Sequence, residues 1–260
     1  MEGLEALLLG VVQGLTEFLP VSSSGHLVIA QALLGVHGEG LVFEIVVHVA
    51  TLGSVLVFYR QRVAALCAGA LRGSPEAIRY LAKLVLATLP AVVLVLVAGD
   101  FLEDQFESAR VAALCLLITG GILWTTRRSI AGAHLPEPGW GAALLIGCAQ
   151  ALAILPGISR SGTTVAAALA LGVAPAAAAE FSFLMSVIAI AGAAVRSAPE
   201  LAAASGEHAG ALLLGGAAAL LSGLAAIWAF VRVLRTRAFH RFAYYTWAVG
   251  LLVLVWLVVR

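Results

Sequence analysis

The chain has 260 residues, 62% of them hydrophobic and 11% charged, with a mean hydropathy of +1.05 and a net charge of +1. A soluble globular domain carries about 45–50% apolar and about 25% charged residues, so the composition excludes a soluble enzyme and marks an integral membrane protein. The basic residues are scattered over loops, which speaks against a nucleic-acid partner.

The N-terminal "MEGLEALLLG" is apolar but acidic and lacks a basic n-region, against a cleaved signal peptide. A membrane-crossing helix needs about 20 mostly apolar residues. Gly3–Val36 is too long for one span and is broken at "LPVSSSG". Leu41–Tyr59, Tyr80–Ala98 and Val111–Thr126 then read as three ordinary spans, with 60–83 as a loop between the first two. Gly139–Val173 is a second over-long region, broken at "LPGISRSG". Glu180–Val195, Ala211–Val231 and Phe242–Val259 complete a set of six spans. In both breaks Pro ends a helix by removing a donor and clashing with the preceding turn, and Ser and Gly start the next one. Cys67, Cys115 and Cys148 fall in or beside apolar segments without metal-ligand spacing and read as packing residues.

The two broken regions are copies. Shifted by 137 residues, "GVVQGLTEFLPVSSSGHLVIAQALLGV" lies on "GCAQALAILPGISRSGTTVAAALALGV", pairing Gly10/Gly147, Gln13/Gln150, Ser22/Ser159, Ser24/Ser161, Gly25/Gly162, Leu34/Leu171, Gly35/Gly172 and Val36/Val173. Agreement at Gln, Ser and Gly in one register is not a by-product of an Ala/Leu/Val-rich composition. The fold expected is all-α and polytopic: about six transmembrane helices plus two broken or re-entrant hairpins, one domain over 1–260 with repeats near 1–130 and 138–260. Loop charge supplies the orientation. Five basic residues and one acid lie in 60–83, and four basic residues and no acid in 232–241, whereas Asp100, Glu103, Asp104 and Glu107 dominate 99–110. Lys and Arg mark the cytoplasmic side, placing 60–83, 127–139 and 232–241 inside and 99–110 and 196–210 outside. Three spans separate the copies, so the repeats are inverted. Broken helices in such folds meet near the midplane and build the site there.

Gln13 and Glu17 stand one helical turn apart on the helix that Pro20 stops. Two side-chain oxygens near a helix C-terminal end suit a cation, with oxygen-only donors favouring Mg²⁺ or Ca²⁺. A charged side chain at mid-membrane costs about 2.5–3.5 kcal/mol even on the mildest scale, so Glu17 is expected to act rather than only to hold the break open. Ser22, Ser23, Ser24 and Gly25 start the next half-helix, where free amides and the positive dipole end favour an anion. His26 follows as a base or nucleophile. In the second copy Arg160 takes the place of Ser23, a planar fork of donors matched to phosphate oxygens, flanked by Ser159, Ser161, Thr163 and Thr164. The chemistry these residues suit is attack on a phosphoryl group whose charge Arg160, with or without a metal, holds. A rival plan, a lipid-phosphate flippase or anion transporter, would use Arg160 and the helix starts and needs no Ser–His pair. Glu44 and Glu180 open the spans after each broken region, as second-layer partners or as interfacial charges, and nothing in the spacing assigns them or His48 to the site.

"QGLTEFLPVSSSGH" and "PGISRSGTT" resemble the two signature segments of undecaprenyl-diphosphatases, the bacitracin-resistance type of bacterial membrane phosphatase. "FEIVVHVATLGSVLVFYR" (Phe43–Arg60) and "EFSFLMSV" (Glu180–Val187) resemble further family segments, in family order. The resemblance implies removal of the terminal phosphate from a C55 polyprenyl diphosphate, regenerating the lipid carrier for peptidoglycan synthesis. It implies a divalent-cation-dependent reaction on the extracytoplasmic side of the bacterial inner membrane, with a homodimer as one open assembly. It makes Glu17 and His26 catalytic, Ser23 a candidate nucleophile, and Arg160 the diphosphate binder beside Ser159, Ser161 and Thr164; the spacing leaves open attack by Ser23 with His26 as its base, phosphorylation of His26 itself, and water activated by Glu17 and His26. Gln13 fills a position where the family admits Glu or Gln. The family often has Pro shortly after "EFSFL"; Ser186-Val187-Ile188 has none here.

Overall fold

A computed structural model describes residues 3–34, 41–197 and 209–259. The pairs Gly35/Gly172 and Val36/Val173 and most of the 196–210 loop therefore lie partly outside the described residues. The described residues form eleven α-helices in chain order: α1 Gly3–Phe18, α2 Ser23–Leu34, α3 Leu41–Phe58, α4 Arg60–Leu71, α5 Pro75–Gln105, α6 Ala109–Ser129, α7 Trp140–Leu152, α8 Arg160–Ala170, α9 Pro175–Arg196, α10 Ala209–Arg235 and α11 Phe242–Val259. A 3₁₀ turn, Phe239–Arg241, leads into α11. Among the described residues five helices are long and apolar enough to cross a membrane, and α3 with α4 makes a sixth if that bent pair counts as one span.

The outer surface carries the expected apolar side chains, among them Leu8, Val93, Leu96, Val97, Leu213, Leu252 and Val258. In lipid such a surface is solvated, and helices satisfy every backbone group internally. The core lies between α5, α8, α9 and α10, around Phe181, Phe183, Met185, Phe230 and Leu169. α9 runs unbroken through Ser186-Val187-Ile188, with no Pro to interrupt it.

One expectation is corrected. The stretch after Tyr59 is not all loop: α4 occupies Arg60–Leu71 and leaves α3 at a 79° bend. Ala, Leu, Arg and Gln are good helix formers, and the three polar residues that opened the stretch hid a helix too polar for a span. α4 then ends at Gly73, with φ of +74°, and Ser74 caps α5 ahead of Pro75 at its first position.

Each over-long apolar region is two short helices. α7 and α8 have 13 and 11 residues, about 20 and 17 Å at 1.5 Å per residue, and neither crosses a hydrocarbon core about 30 Å thick. The first helix of each region packs on the long helix of the other half, α1 on α10 and α7 on α5. Matched glycines allow the close approach. A Cβ on Gly10 would strike the Gly215 backbone of α10, and one on Gly147 the Ala87 backbone of α5.

Candidate active site

The two breaks touch each other at the centre of the molecule. Ser22 caps α2 from the left-handed region, φ +66°, a conformation that costs a non-glycine residue about 1–3 kcal/mol unless its surroundings fix it. They do. Its Oγ accepts from the amide of Gly25 at 3.2 Å and from that of Gly157, in the other break, at 3.1 Å. Ser159 caps α8 in the matching way, accepting from Gly162 N at 3.1 Å. A Cβ on Gly25 would come within 2.7 Å of Gly157 Cα, and one on Gly162 within 3.1 Å of Pro20 Cβ. Each helix start thus rests against the other copy's break. Thr119 of α6 pins the second break, donating to Gly157 O at 2.7 Å and accepting from Ser159 N at 3.1 Å. Gly157 has φ +96°, so glycine is required there both by conformation and by crowding.

This contact delivers Glu17 from the end of α1 and Arg160 from the start of α8 to one point. Arg160 Nη2 lies 2.5 Å from Glu17 Oε1. The other carboxylate oxygen, Oε2, accepts from Ser23 Oγ at 2.7 Å and from Gln13 Nε2 at 3.0 Å. The Glu17 side chain is 7% exposed and that of Arg160 19%. In such surroundings a carboxylate and a guanidinium hold their charges only by pairing, and charge-assisted bonds are the strong ones. A cavity of about 290 Å³ opens beside the pair. Gln13, Glu17, Ser22, Ser23, Ser24, Ser159 and Arg160 line it, with Leu27, Phe106, Ile154 and Ile158 as its apolar wall.

Four of the residues singled out from the sequence stand elsewhere, and one of them, Thr163, is buried with no hydrogen-bond partner for its hydroxyl among the described residues. Ser161 Oγ is shared between Ser159 Oγ at 3.3 Å and Leu19 O at 3.4 Å. Thr164 Oγ1 donates to Arg160 O at 2.7 Å and meets Ser182 Oγ at 2.6 Å, bracing the turn that carries Arg160. His26 faces away from the cavity. Its Nδ1 lies 2.8 Å from Ser22 O and its Nε2 2.8 Å from Tyr245 Oη of α11, with the two rings stacked at 5.6 Å. A carbonyl only accepts, so Nδ1 carries the proton and Tyr245 donates to Nε2. The Ser23 hydroxyl is therefore paired with Glu17 and not with His26.

Two residues that the spacing left unassigned do line the cavity, Glu44 and His48 of α3. His48 Nε2 is 3.8 Å from Glu17 Oε2. Their signal was present: polar residues four apart fall on one face of a helix, and ionisable groups inside an apolar span are functional by default. Glu180 sits apart, accepting from Arg62 Nε at 2.8 Å and from Tyr80 Oη at 3.2 Å, a tie between α4, α5 and α9.

Among the described residues no three His, Cys, Asp or Glu side chains stand close enough to hold a metal by themselves. Gln13 Oε1, Glu17 and Glu44 nonetheless give the cavity wall hard oxygen donors. That set fits a Mg²⁺ or Ca²⁺ ion that takes one or two carboxylates and completes its shell with phosphate oxygens and water.

Fold and site together define a polytopic membrane protein with a charged, hydroxyl-rich centre assembled from two interrupted helices. Residues 6–252 match the family described as bacitracin resistance protein BacA. The chain is 42% identical to the undecaprenyl-diphosphatase of Desulfatibacillum aliphaticivorans, over 98% of this chain and 99% of that protein. It is 41% identical to that of Syntrophotalea carbinolica, over 96% and 97%, and 38% identical to that of Desulforapulum autotrophicum, over 98% of each. The chain belongs to the bacitracin resistance protein BacA family.

Proposed function

We propose that the protein hydrolyses undecaprenyl diphosphate to undecaprenyl phosphate and inorganic phosphate, returning the carrier to peptidoglycan synthesis and lowering sensitivity to bacitracin. The observation that carries this reading is the meeting of Glu17, Ser23 and Arg160 on one cavity wall, in a chain whose relatives bear the name undecaprenyl-diphosphatase.

Arg160 and the amides at the start of α8 bind the diphosphate, and Ser22, Ser24 and Ser159 add hydroxyls to its oxygens. The apolar wall of Leu27, Ile154 and Ile158 receives the first part of the polyprenyl tail. Ser23 Oγ attacks the terminal phosphorus while Glu17 Oε2, already 2.7 Å away, takes its proton. The bridging P–O bond breaks and the lipid monophosphate leaves with the electron pair. Glu17 passes the Ser23 proton to the departing lipid phosphate. Water then attacks the phosphoserine phosphorus and gives its proton to Glu17, and the Ser23 oxygen leaves with the electron pair and takes the proton back from Glu17 as orthophosphate is released. Arg160, released from Glu17 Oε1 by the incoming phosphate, faces the charge that builds up on the phosphoryl oxygens. A divalent cation held by Gln13, Glu17 and Glu44 would neutralise phosphate charge there. His26 serves by position: its bonds to Ser22 O and Tyr245 Oη fix the turn that presents Ser23.

Phe106, from the acidic 99–110 stretch, lines the cavity. The basic residues of 60–83 and 232–241 lie on other connections, which supports a site opening on the extracytoplasmic side of the inner membrane. The exchange of partners between halves, α1 on α10 and α7 on α5, supports inverted repeats. The test is ³¹P NMR of purified protein with C55 diphosphate, with and without Mg²⁺ or Ca²⁺. The reading expects the diphosphate signals to give way to monophosphate and orthophosphate when the cation is present. Unchanged diphosphate with folded protein would overturn it.

A further inference from the structure

We infer that the cleft at the bend between α3 and α4 binds the phosphate group of an anionic bilayer phospholipid, held by Arg60 and by Arg235 of α10. The inference does not depend on the phosphatase reading.

The bend stands where hydrocarbon gives way to headgroups. α3 is apolar to its end, and Leu56 and Val57 of its last turn are exposed. After the 79° turn at Tyr59, α4 begins with Arg60, Gln61 and Arg62. Aromatic and basic residues directly after an apolar span mark the membrane–water interface. α4 then runs almost crosswise to α3. Its inner side is seated on the protein: Leu66 is buried, and a Cβ on Gly69 would meet that of Ala77 in α5 at 2.8 Å. Its outer side exposes Ala64, Cys67 and Leu71, one helical stripe, and Leu71 is 90% exposed. A helix crosswise to a span, with an oily outer stripe and basic residues at its start, lies in the plane of the interface.

The bend leaves a cleft of about 330 Å³ walled by Phe58, Tyr59, Arg60, Gln61 and Arg62. Arg62 is already paired, donating to Glu180 at 2.8 Å and lying 4.6 Å over the Tyr80 ring. Arg60 is exposed and donates only to the Val57 carbonyl, at 3.2 Å. α10 brings a second cation. The rings of Tyr59, Phe183 and Phe230 follow one another at 6.2 and 5.0 Å, which carries the end of α10 to the bend. There Arg232 stacks on Trp228, and the exposed Arg235 acts electrostatically on Tyr59. Among the described residues neither Arg60 nor Arg235 has a carboxylate within 4.0 Å. Glu180 offsets Arg62 alone, so the cleft keeps two uncompensated guanidinium forks, the geometry that suits phosphate oxygens. Basic pockets between helices at this level bind anionic headgroups, with about fivefold in affinity for each arginine near the surface. The oily border selects a lipid over a soluble anion. Leu56 and Val57 on one side and Ala64 and Cys67 on the other offer acyl chains a surface that free phosphate does not use.

The experiment titrates the full chain in neutral detergent with phosphatidylglycerol, phosphatidylcholine or inorganic phosphate. Bound lipid is read by native mass spectrometry, and the rise in unfolding temperature is measured against each protein's own lipid-free value. Wild type should retain phosphatidylglycerol and gain thermal stability from it, and phosphatidylcholine and inorganic phosphate should do neither. The half-saturating phosphatidylglycerol concentration should rise about fivefold in Arg60→Gln and in Arg235→Gln, and about 30-fold in the double variant. Arg72→Gln changes an exposed arginine at the far end of α4 and should stay within twofold of wild type. Equal affinity for the two lipids, or the same thermal gain from inorganic phosphate alone, would overturn the inference. So would a loss in Arg72→Gln as large as in Arg60→Gln, because it would show diffuse attraction to basic charge in place of a site at the bend.

Discussion

Glu17→Gln removes one charge and keeps the shape of the most crowded acceptor in the protein. Three donors converge on its carboxylate: Arg160 Nη2 on Oε1, and Ser23 Oγ and Gln13 Nε2 on Oε2. An amide has one oxygen. Turned toward Arg160, it sets its NH₂ against Ser23 and Gln13; turned the other way, it sets NH₂ against the guanidinium. The first orientation is satisfied only if the Ser23 hydroxyl and the Gln13 amide both turn round to accept, so that Ser23 no longer donates; in either orientation the guanidinium has lost its counter-charge. An unsatisfied buried polar group costs about 1–3 kcal/mol, and more for a charged one. Removing one partner of a fully buried ion pair costs about 3–5 kcal/mol, and because Arg160 retains some exposure the lower range applies, about 1–3 kcal/mol. Loss of the proton acceptor for Ser23 should also lower kcat by about 100-fold or more. The stability assay is a double-mutant cycle by thermal unfolding in detergent with Glu17→Gln, Arg160→Gln and both together. The double variant should recover part of the loss, with a coupling of about 1–3 kcal/mol. Strict additivity would refute the reasoning, because it would mean that the two breaks do not meet through this pair.

Other expectations follow from the same geometry. Gly25→Ala puts a Cβ within 2.7 Å of Gly157 Cα. It should destabilise by about 1–3 kcal/mol, seen as a lower unfolding temperature, and reduce phosphate release by moving the two helix starts apart. Gln150, the counterpart of Gln13, is 3% exposed and has no hydrogen-bond partner for either amide atom among the described residues. Gln150→Leu should therefore stabilise the protein by about 1–2 kcal/mol with turnover unchanged, by unfolding temperature and phosphate release. Tyr245→Phe removes the hydroxyl on His26 Nε2. It should cost about 0.5–1.5 kcal/mol of stability and lower kcat far less than Ser23→Ala, measured side by side.

The transmembrane plan was legible because hydropathy and helix breakers act locally. Spans of about 20 apolar residues, and Pro followed by Ser and Gly, need no knowledge of tertiary contacts. The helix α4 was not legible by that rule, since it is helical by propensity but too polar to count as a span, and its 79° departure at Tyr59 leaves no mark in the composition. In the site, the repeat register singled out the two breaks, and these are the segments that the structure brings into contact. The pairing within the site was harder. Ser23 and His26 are near neighbours in sequence, yet the Ser22 carbonyl and Tyr245, 219 residues from His26, turn that ring away. The Ser23 hydroxyl turns instead to Glu17, on the preceding helix. His48 lies 31 positions after Glu17 in the chain, and only the packing of α3 on α10 and beside α1 brings it near.

The central claim is that residues from both breaks form one phosphatase site. The most direct measurement is the rate of orthophosphate release from C55 diphosphate, in detergent with Mg²⁺ or Ca²⁺, by wild type, Ser23→Ala and Arg160→Ala at matched folded fraction. The account predicts cation-dependent release by wild type and its collapse in both variants, although one changed residue lies in each copy. Wild-type rates in Arg160→Ala would contradict it, because the second break would then contribute nothing to the chemistry.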